Sequence, residues 1–361
     1  MTDMVSVAFT GGGTGGHIYP GLAVAAWLGK LMPCRIFWIG SGAGMDRSIV
    51  EEAGIEFFGI PAGKLRRYFS LKNVSDVFRI GAGFVAARKI LSREKPAVLF
   101  SKGGFVSVPP CAAAASLKIP VFAHESDLSP GLATRLNIRF TGKLFIPYLK
   151  TADFFPPGAR EKLEVSGNPV RPEFFSADPA KGRAFLGLSA GERVLLVLGG
   201  SQGSREINSL VQGALKRLTS RYTVVHQTGE NEGAFAPAER YKPYPYFRDE
   251  LPHVIAAAEL VICRGGAGTL WECASLRKPM VIIPLRGSGT RGDQVENAGI
   301  FEESGAAVSI ADDPSPEKLS ELVDSLAADE GRRKAMSLAG IGRTDAARHI
   351  AEAIARKAGG V

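Results

Sequence analysis

The segment that most constrains this chain is Val5-Ser6-Val7-Ala8-Phe9-Thr10-Gly11-Gly12-Gly13-Thr14-Gly15-Gly16-His17-Ile18-Tyr19-Pro20. An apolar, β-branched run ends in five glycines within six residues, and a helix-compatible run, Gly21 to Leu28, follows. A strand, a glycine loop and a helix start bring a backbone close to a phosphate. Glycine permits positive φ and close approach, and free N–H groups at a helix N-terminus favour negative charge. His17 closes the loop with a group that titrates near neutral pH, which points to transfer chemistry as well as binding.

Gly11, Gly13 and Gly16 also have the spacing of a dinucleotide fingerprint. That fingerprint needs an acid at the end of the second strand to hold a ribose. The second strand reads Arg35-Ile36-Phe37-Trp38-Ile39-Gly40-Ser41, and Asp46 follows too late. No Gly-Lys-Ser/Thr follows the loop, so it is not a P-loop.

The chain has 361 residues, enough for two domains of ordinary size. Its 45% hydrophobic and 22% charged residues are those of a soluble globular protein. No apolar run reaches the roughly 18–20 residues of a membrane span, and Met1-Thr2-Asp3-Met4 lacks a basic leader. Cys34, Cys111, Cys263 and Cys273 are scattered and read as reduced, buried thiols. The net charge of +8 lies wholly in residues 1–165, and residues 64–95 carry nine Lys and Arg against Asp76 and Glu94. Such a local excess points to an anionic surface or partner.

Short β runs alternate with helical stretches. Strands are read at 5–10, 35–39, 56–59, 98–100, 121–123 and 144–146, with helices at 21–31, 45–53, 74–92 and 130–137. A proline-rich stretch, Phe155-Pro156-Pro157-Gly158 and then Ser166 to Pro172, reads as a hinge. The alternation restarts at 193–198 and continues at 223–227, 260–263, 280–284 and 307–310. This pattern predicts an α/β protein with parallel sheets covered by helices. Each half has a glycine loop after its first strand, Gly11–His17 or Gly199-Gly200-Ser201-Gln202-Gly203-Ser204. Each also has a basic residue before paired glycines, at Lys102-Gly103-Gly104 and Arg264-Gly265-Gly266. Four such loops at strand ends suggest two Rossmann-like domains facing across a cleft.

Several short motifs together resemble the MurG family of glycosyltransferases over essentially the full length. They are Gly12-Gly13-Thr14-Gly15-Gly16-His17, Ser101-Lys102-Gly103-Gly104-Phe105-Val106-Ser107, His124-Glu125-Ser126-Asp127 and Gly167-Asn168-Pro169-Val170-Arg171. They continue with Gly199 to Gly203, Cys263-Arg264-Gly265-Gly266-Ala267-Gly268-Thr269-Leu270-Trp271-Glu272, Asp293-Gln294 and Asn297-Ala298. The resemblance implies a GT-B architecture. Residues 1–167 would form the acceptor-side domain and 168–345 the UDP-sugar domain, with a helix at about 346–361 returning to the first domain. It implies inverting transfer of N-acetylglucosamine from UDP-N-acetylglucosamine to lipid I, giving lipid II. His17 is the first candidate for general base and Glu125 the second, or a group that orients His17. Thr14, Gly15, Gly16 and Asp127 would contact substrate on the acceptor side. Arg171, Ser201, Gln202 and Gly203 would meet the diphosphate, the loop at Arg248 the uracil, and Glu272 the ribose. Ala267, Gly268, Thr269 and Leu270 open the helix that carries Glu272, and Asp293 and Gln294 would hold the sugar hydroxyls. The family often has Asn at the Asp127 position and smaller or polar residues at Trp271. No Asp-x-Asp motif closes a strand, so no metal or other cofactor is expected.

Arg66, Arg67, Phe69, Arg79, Phe84 and Arg88 mix basic and apolar character around the helix at 74–92. They read as a patch for an anionic membrane surface, the alternative being a solvated helix face. Peripheral attachment at the cytoplasmic face of the membrane follows, with other cell-wall synthesis proteins as further candidate partners. A nucleic-acid reading is weaker, because the basic residues are not interleaved with stacking aromatics in a known module and the phosphate loops point to a small ligand, so no nucleic-acid partner is expected. The rival readings are another GT-B enzyme, such as a glycolipid glycosyltransferase or UDP-sugar epimerase, and a nucleotide-sugar binding protein without activity. His226, His253 and His349 receive no role.

Overall fold

A computed structural model describes residues 4–42, 46–63, 72–189, 191–200, 203–229, 235–287, 290–342 and 344–359. The chain forms two compact units, Met1–Pro172 with Gly342–Val361, and Glu173–Ile341.

Unit 1 holds strands β1 (Ser6–Thr10), β2 (Arg35–Ser41), β3 (Glu56–Ile60), β4 (Val98–Ser101), β5 (Val121–His124), β6 (Lys143–Ile146) and β7 (Leu163–Val165). Its helices are α1 (Tyr19–Leu31), α2 (Asp46–Glu52), α3 (Lys72–Glu94), α4 (Val108–Ser116) and α5 (Leu132–Asn137). All seven strands pair in parallel, in the order β3-β2-β1-β4-β5-β6-β7. Alternation along β1 explains the double cover. Val7 and Phe9 join one core with Val24 and Leu28 of α1, whereas Ala8 joins another with Ala87 and Leu91 of α3. Strands buried on both faces read as continuous apolar runs.

Unit 2 holds α6 (Pro179–Phe185), β8 (Val194–Leu198), α7 (Arg205–Thr219), β9 (Thr223–Gln227), β10 (Tyr241–Tyr244), α8 (Leu251–Ala257) and β11 (Leu260–Cys263). It continues with α9 (Ala267–Ser275), β12 (Met280–Ile282), α10 (Asp293–Glu303), β13 (Ala307–Ser309), α11 (Pro316–Ala328) and α12 (Glu330–Leu338). Its sheet runs β10-β9-β8-β11-β12-β13, again with every pair parallel. Helix α7 is built for its place. Ser204 caps it by accepting from Ile207 N at 3.2 Å. Ile207, Leu210, Val211, Ala214 and Leu218 form its buried stripe. The last helix, α13 (Ala346–Gly359), belongs to unit 1, where Ile350, Ala351 and Ile354 share a core with α1.

Three features differ from the sequence reading. Strands β7 and β10 escaped it because both are short edge strands, and β10 carries Pro243 in its middle. Proline survives in a sheet at such an edge. A 3-10 turn, Gly15–His17, stands between the glycine loop and α1. The division between units falls after Pro172, where 167/168 was expected. Gly167 O and Asn168 are bonded to His124 and Ser126 of unit 1, which ties this stretch to the first sheet.

The strand order places the functional loops. In each unit the order reverses beside the first strand, between β1 and β4 and between β8 and β11. Ligands of open α/β sheets bind at the carboxyl ends of strands at such switch points. All four glycine loops leave those four strands.

Candidate active site

The unit 1 site is assembled from three loops. Gly11 to His17 follow β1, Lys102 to Gly104 follow β4, and Glu125 to Gly131 follow β5. Asp46, discarded above as a ribose acid, is buried at the start of α2. Its carboxylate accepts from Gly13 N at 3.0 Å and Ser41 N at 3.3 Å, so it pins the first loop. Trp38 Nε1 donates to Gly11 O at 2.9 Å from below. These fixings lie about thirty residues away in sequence and leave no local signal.

His17 ends the 3-10 turn, its N–H donating to Thr14 O at 3.0 Å. Its half-buried imidazole lies against the second loop. A Cβ added at Gly104 would fall 3.0 Å from His17 Cδ2 and 2.4 Å from Gly12 O, at a φ of +78°. Only glycine fits there, and the close approach of the two loops depends on it. Thr14 and Gly16 are exposed, and Gly15 is half-buried with its carbonyl accepting from Ile18 N. Tyr19 packs beside Gly15, and the Arg171 guanidinium lies 5.5 Å from the Tyr19 ring centre. Arg171 therefore belongs to unit 1.

Glu125 corrects one expectation. Its Oε1 accepts from Ser126 N at 2.7 Å and Asp127 N at 3.1 Å, and its Oε2 from Gly131 N at 3.0 Å and Thr134 Oγ1 at 2.6 Å. The residue is 6% exposed. Four hydrogen bonds occupy the acceptor sites of a carboxylate, so Glu125 holds its own loop and has no lone pair left for a substrate proton. The half-buried Asp127 stands at the loop's start.

His124 is buried, and Nε2 donates to Gly167 O at 2.9 Å. Burial and then the Lys102 charge push its pKa well below the ordinary 6.5, so it is neutral.

In unit 2, Gly203 turns into α7 at φ +75°, where a Cβ would lie 2.4 Å from Thr228 O. Ser201 and Gln202 lie outside the described residues. Arg264 is not a loose charge. Its Nη1 donates to Glu206 Oε2 at 2.5 Å and Ile283 O at 3.0 Å, and its Nη2 to Ser204 Oγ at 2.5 Å. It thus braces the N-terminus of α7. Gln227, which sequence reasoning missed, joins two loops by donating to Gly200 O at 3.0 Å and accepting from Phe247 N at 3.2 Å. The next residue, Arg248, is exposed, and its N–H donates to Glu250 Oε2.

Helix α9 begins at Ala267 with no side-chain cap. Gly268 is exposed and Thr269 half-buried at its free N-terminal turn, whereas Leu270 is fully buried. Leu270 N already donates to Gly266 O. Glu272 lies half-buried farther along, and Trp271 is fully buried edge-on to Phe301 of α10. Trp271 is thus a packing residue. Asp293 opens α10 and pairs with Arg291 at 3.6 Å. Gln294 Oε1 accepts from Leu285 N at 2.9 Å, which ties its side chain to the loop after β12.

The first half, residues 7–146, matches the glycosyltransferase family 28 N-terminal domain, and residues 194–354 match the glycosyltransferase family 28 C-terminal domain. The chain belongs to glycosyltransferase family 28. Among its relatives is a UDP-N-acetylglucosamine--N-acetylmuramyl-(pentapeptide) pyrophosphoryl-undecaprenol N-acetylglucosamine transferase of Treponema denticola. The two are 47% identical over 349 residues, covering 91% of this chain and 89% of the relative. Acinetobacter baumannii MurG has the same fold, with a TM-score of 0.75 at 23% identity over 98% of this chain and 99% of the other. So does a UDP-N-acetylglucosamine 2-epimerase of Neisseria meningitidis. Its TM-score is 0.66 at 15% identity, over 98% of this chain and 100% of the other. A transferase and an epimerase share this fold, so the fold alone does not separate their activities.

Surface helix α3 carries the described part of the basic apolar patch. Val77, Phe78 and Val85 are exposed, Phe78 to 76%, and Arg79, Arg88 and Lys89 are exposed beside them. Phe84 differs from expectation, since it is half-buried and packs on the core beneath the sheet. Arg66, Arg67 and Phe69 lie outside the described residues. No described helix is long and apolar enough to cross a membrane.

Proposed function

We propose that the protein transfers N-acetylglucosamine from UDP-N-acetylglucosamine to the 4-hydroxyl of the N-acetylmuramyl-pentapeptide unit of undecaprenyl-pyrophosphate-linked lipid I, forming lipid II. The observation that carries this reading is the 47% identity, across nearly the whole chain, to a transferase of that name. The reaction is a single displacement with inversion. The acceptor oxygen attacks the anomeric carbon, the bond from that carbon to the diphosphate oxygen breaks, and UDP leaves with the electron pair. His17 takes the hydroxyl proton. The N–H groups opening α7 and α9 offset the charge gathering on the diphosphate. Glu272, Asp293 and Gln294 take the ribose and sugar hydroxyls.

Incubation with UDP-N-acetylglucosamine and a short-chain lipid I analogue tests this reading. UDP is expected to appear only when both are present, together with the disaccharide product. UDP release, or change at the sugar's second carbon, without acceptor would make the protein a hydrolase or an epimerase instead.

The acceptor's polyprenyl chain lies in a bilayer, so the enzyme meets it at the membrane's cytoplasmic face. Helix α3 is the proposed contact, with Phe78 and Val85 entering the interface and basic neighbours meeting anionic headgroups. Each basic residue near such a surface contributes about 1 kcal/mol, and added salt weakens it. Replacing Arg66, Arg67, Arg79 and Arg88 by Glu is expected to abolish sedimentation with anionic vesicles at low salt. Activity on a water-soluble acceptor should stay near wild type. Equal sedimentation of the two proteins would return these residues to a solvated helix face.

A further inference from the structure

Lys102 is the most heavily buried cation among the described residues of unit 1, at 1% exposure. Its backbone N–H donates to Thr10 O at 2.8 Å, and its Cβ would lie 3.1 Å from a Cβ placed on Gly11. Its Cβ therefore lies against the start of the first glycine loop. Its ammonium donates to Ser126 Oγ at 2.6 Å, in the loop after β5. One residue thus touches all three loops of the acceptor-side site.

The surroundings do not match a merely structural lysine. Among the described residues, one of its three N–H groups has an acceptor, and Glu125 and Asp127 act on the ammonium only through their charge. Two buried acceptors nearby are unmatched. His124 donates through Nε2 to Gly167 O, which leaves Nδ1 as a bare lone pair without a partner. Asn168 donates to Ser126 O at 2.8 Å, and its Oδ1 has no partner either. Both are tied to the same short segment as Lys102: Asn168 through the Ser126 carbonyl, His124 two residues before it. A buried cation with spare donors, beside spare acceptors, costs stability and is retained for something else.

We propose that Lys102 is a positioning residue for the acceptor, its ammonium holding Ser126 and thereby fixing the segment 124–127 against the two glycine loops. This rests on the transferase reading. Glu125 secures the far side of that loop through Gly131 and Thr134, and Lys102 secures the near side. Together they set where Asp127 stands.

Charge matters as well as the hydrogen bond. Burial pulls the Lys102 pKa down from 10.5 to about 8, opposed by Glu125 and Asp127. The charged and titratable groups around it are those two carboxylates, neutral His124, and His17 across Gly103. The lysine is therefore charged at pH 7 and loses its proton as pH rises through about 8. The unfolded chain holds that proton up to 10.5, so stability rises with pH between about 8 and 10.5 while the brace loses its charge.

Lys102→Met, of similar length without the charge, is the first test, and Ser126→Ala removes the same bond from the other side. Both should raise the KM for a soluble lipid I analogue at least about tenfold, as for loss of a charged hydrogen bond. UDP affinity by calorimetry should stay within about twofold, the methionine variant should be at least as stable as wild type, and amide exchange at residues 126–131 should quicken. In wild type, acceptor kcat/KM should fall above about pH 8, and in Lys102→Met that limb should be absent. The exchange measurement needs no catalysis, so unchanged protection in both variants overturns the inference even if the wild type transfers no sugar. An acceptor KM within twofold of wild type in both variants also overturns it. So does a raised KM accompanied by equal loss of UDP affinity and a lower melting temperature. Failure of wild-type transfer, by contrast, counts against the transferase reading itself.

Discussion

His17→Ala is expected to lower kcat by about 10²–10⁴-fold, the usual contribution of general acid–base catalysis, with little change in UDP affinity. His17 is the titratable group offered at the mouth of the two glycine loops, half-buried and against Gly103 and Gly104. Glu125 cannot share the work, because its lone pairs are committed to Ser126, Asp127, Gly131 and Thr134. A base acts in its neutral form, so the wild-type rate should fall at low pH and the alanine variant should lose that acid limb. Single-turnover kinetics across pH, with the product quantified, checks both points. Retention of most activity would transfer the proton to water or to the substrate.

Glu125→Ala is expected to be as damaging overall but by a different route. It leaves three backbone N–H groups and the Thr134 hydroxyl without their charged acceptor at a site only 6% exposed. Losing such a set should cost about 3 kcal/mol or more of stability. Acceptor kcat/KM should fall by about 10²-fold or more, since a displaced loop is expensive in reaction geometry. The acid limb of the pH profile should survive, because the base is intact. Denaturant unfolding together with pH–rate profiles distinguishes the two roles. A variant with wild-type stability and a flat acid limb would make Glu125 the base and reverse the assignment.

The sequence by itself determined the class of fold and the location of the chemistry. Alternating apolar runs and helical stretches required parallel sheets, and the glycine loops marked four strand ends. His17 stood out because an imidazole after five glycines has little structural use. Glycine and strand patterns are local, so a linear reading captures them. Only the tertiary structure decided which polar residues are available and which are occupied. Asp46 proved to be the anchor of the first loop, and Glu125 became a brace. Arg264 and Gln294 were found partly spent on holding loops. Lys102 was left with donors to spare. The edge strands β7 and β10 likewise declared themselves only through their pairing partners. The reason is common to all of them. A side chain's chemistry depends on which groups reach it, and here those groups come from loops far apart in sequence, as where Lys102 meets Thr10 and Ser126. Sequence spacing carries no record of such contacts until the sheet has brought the strand ends together.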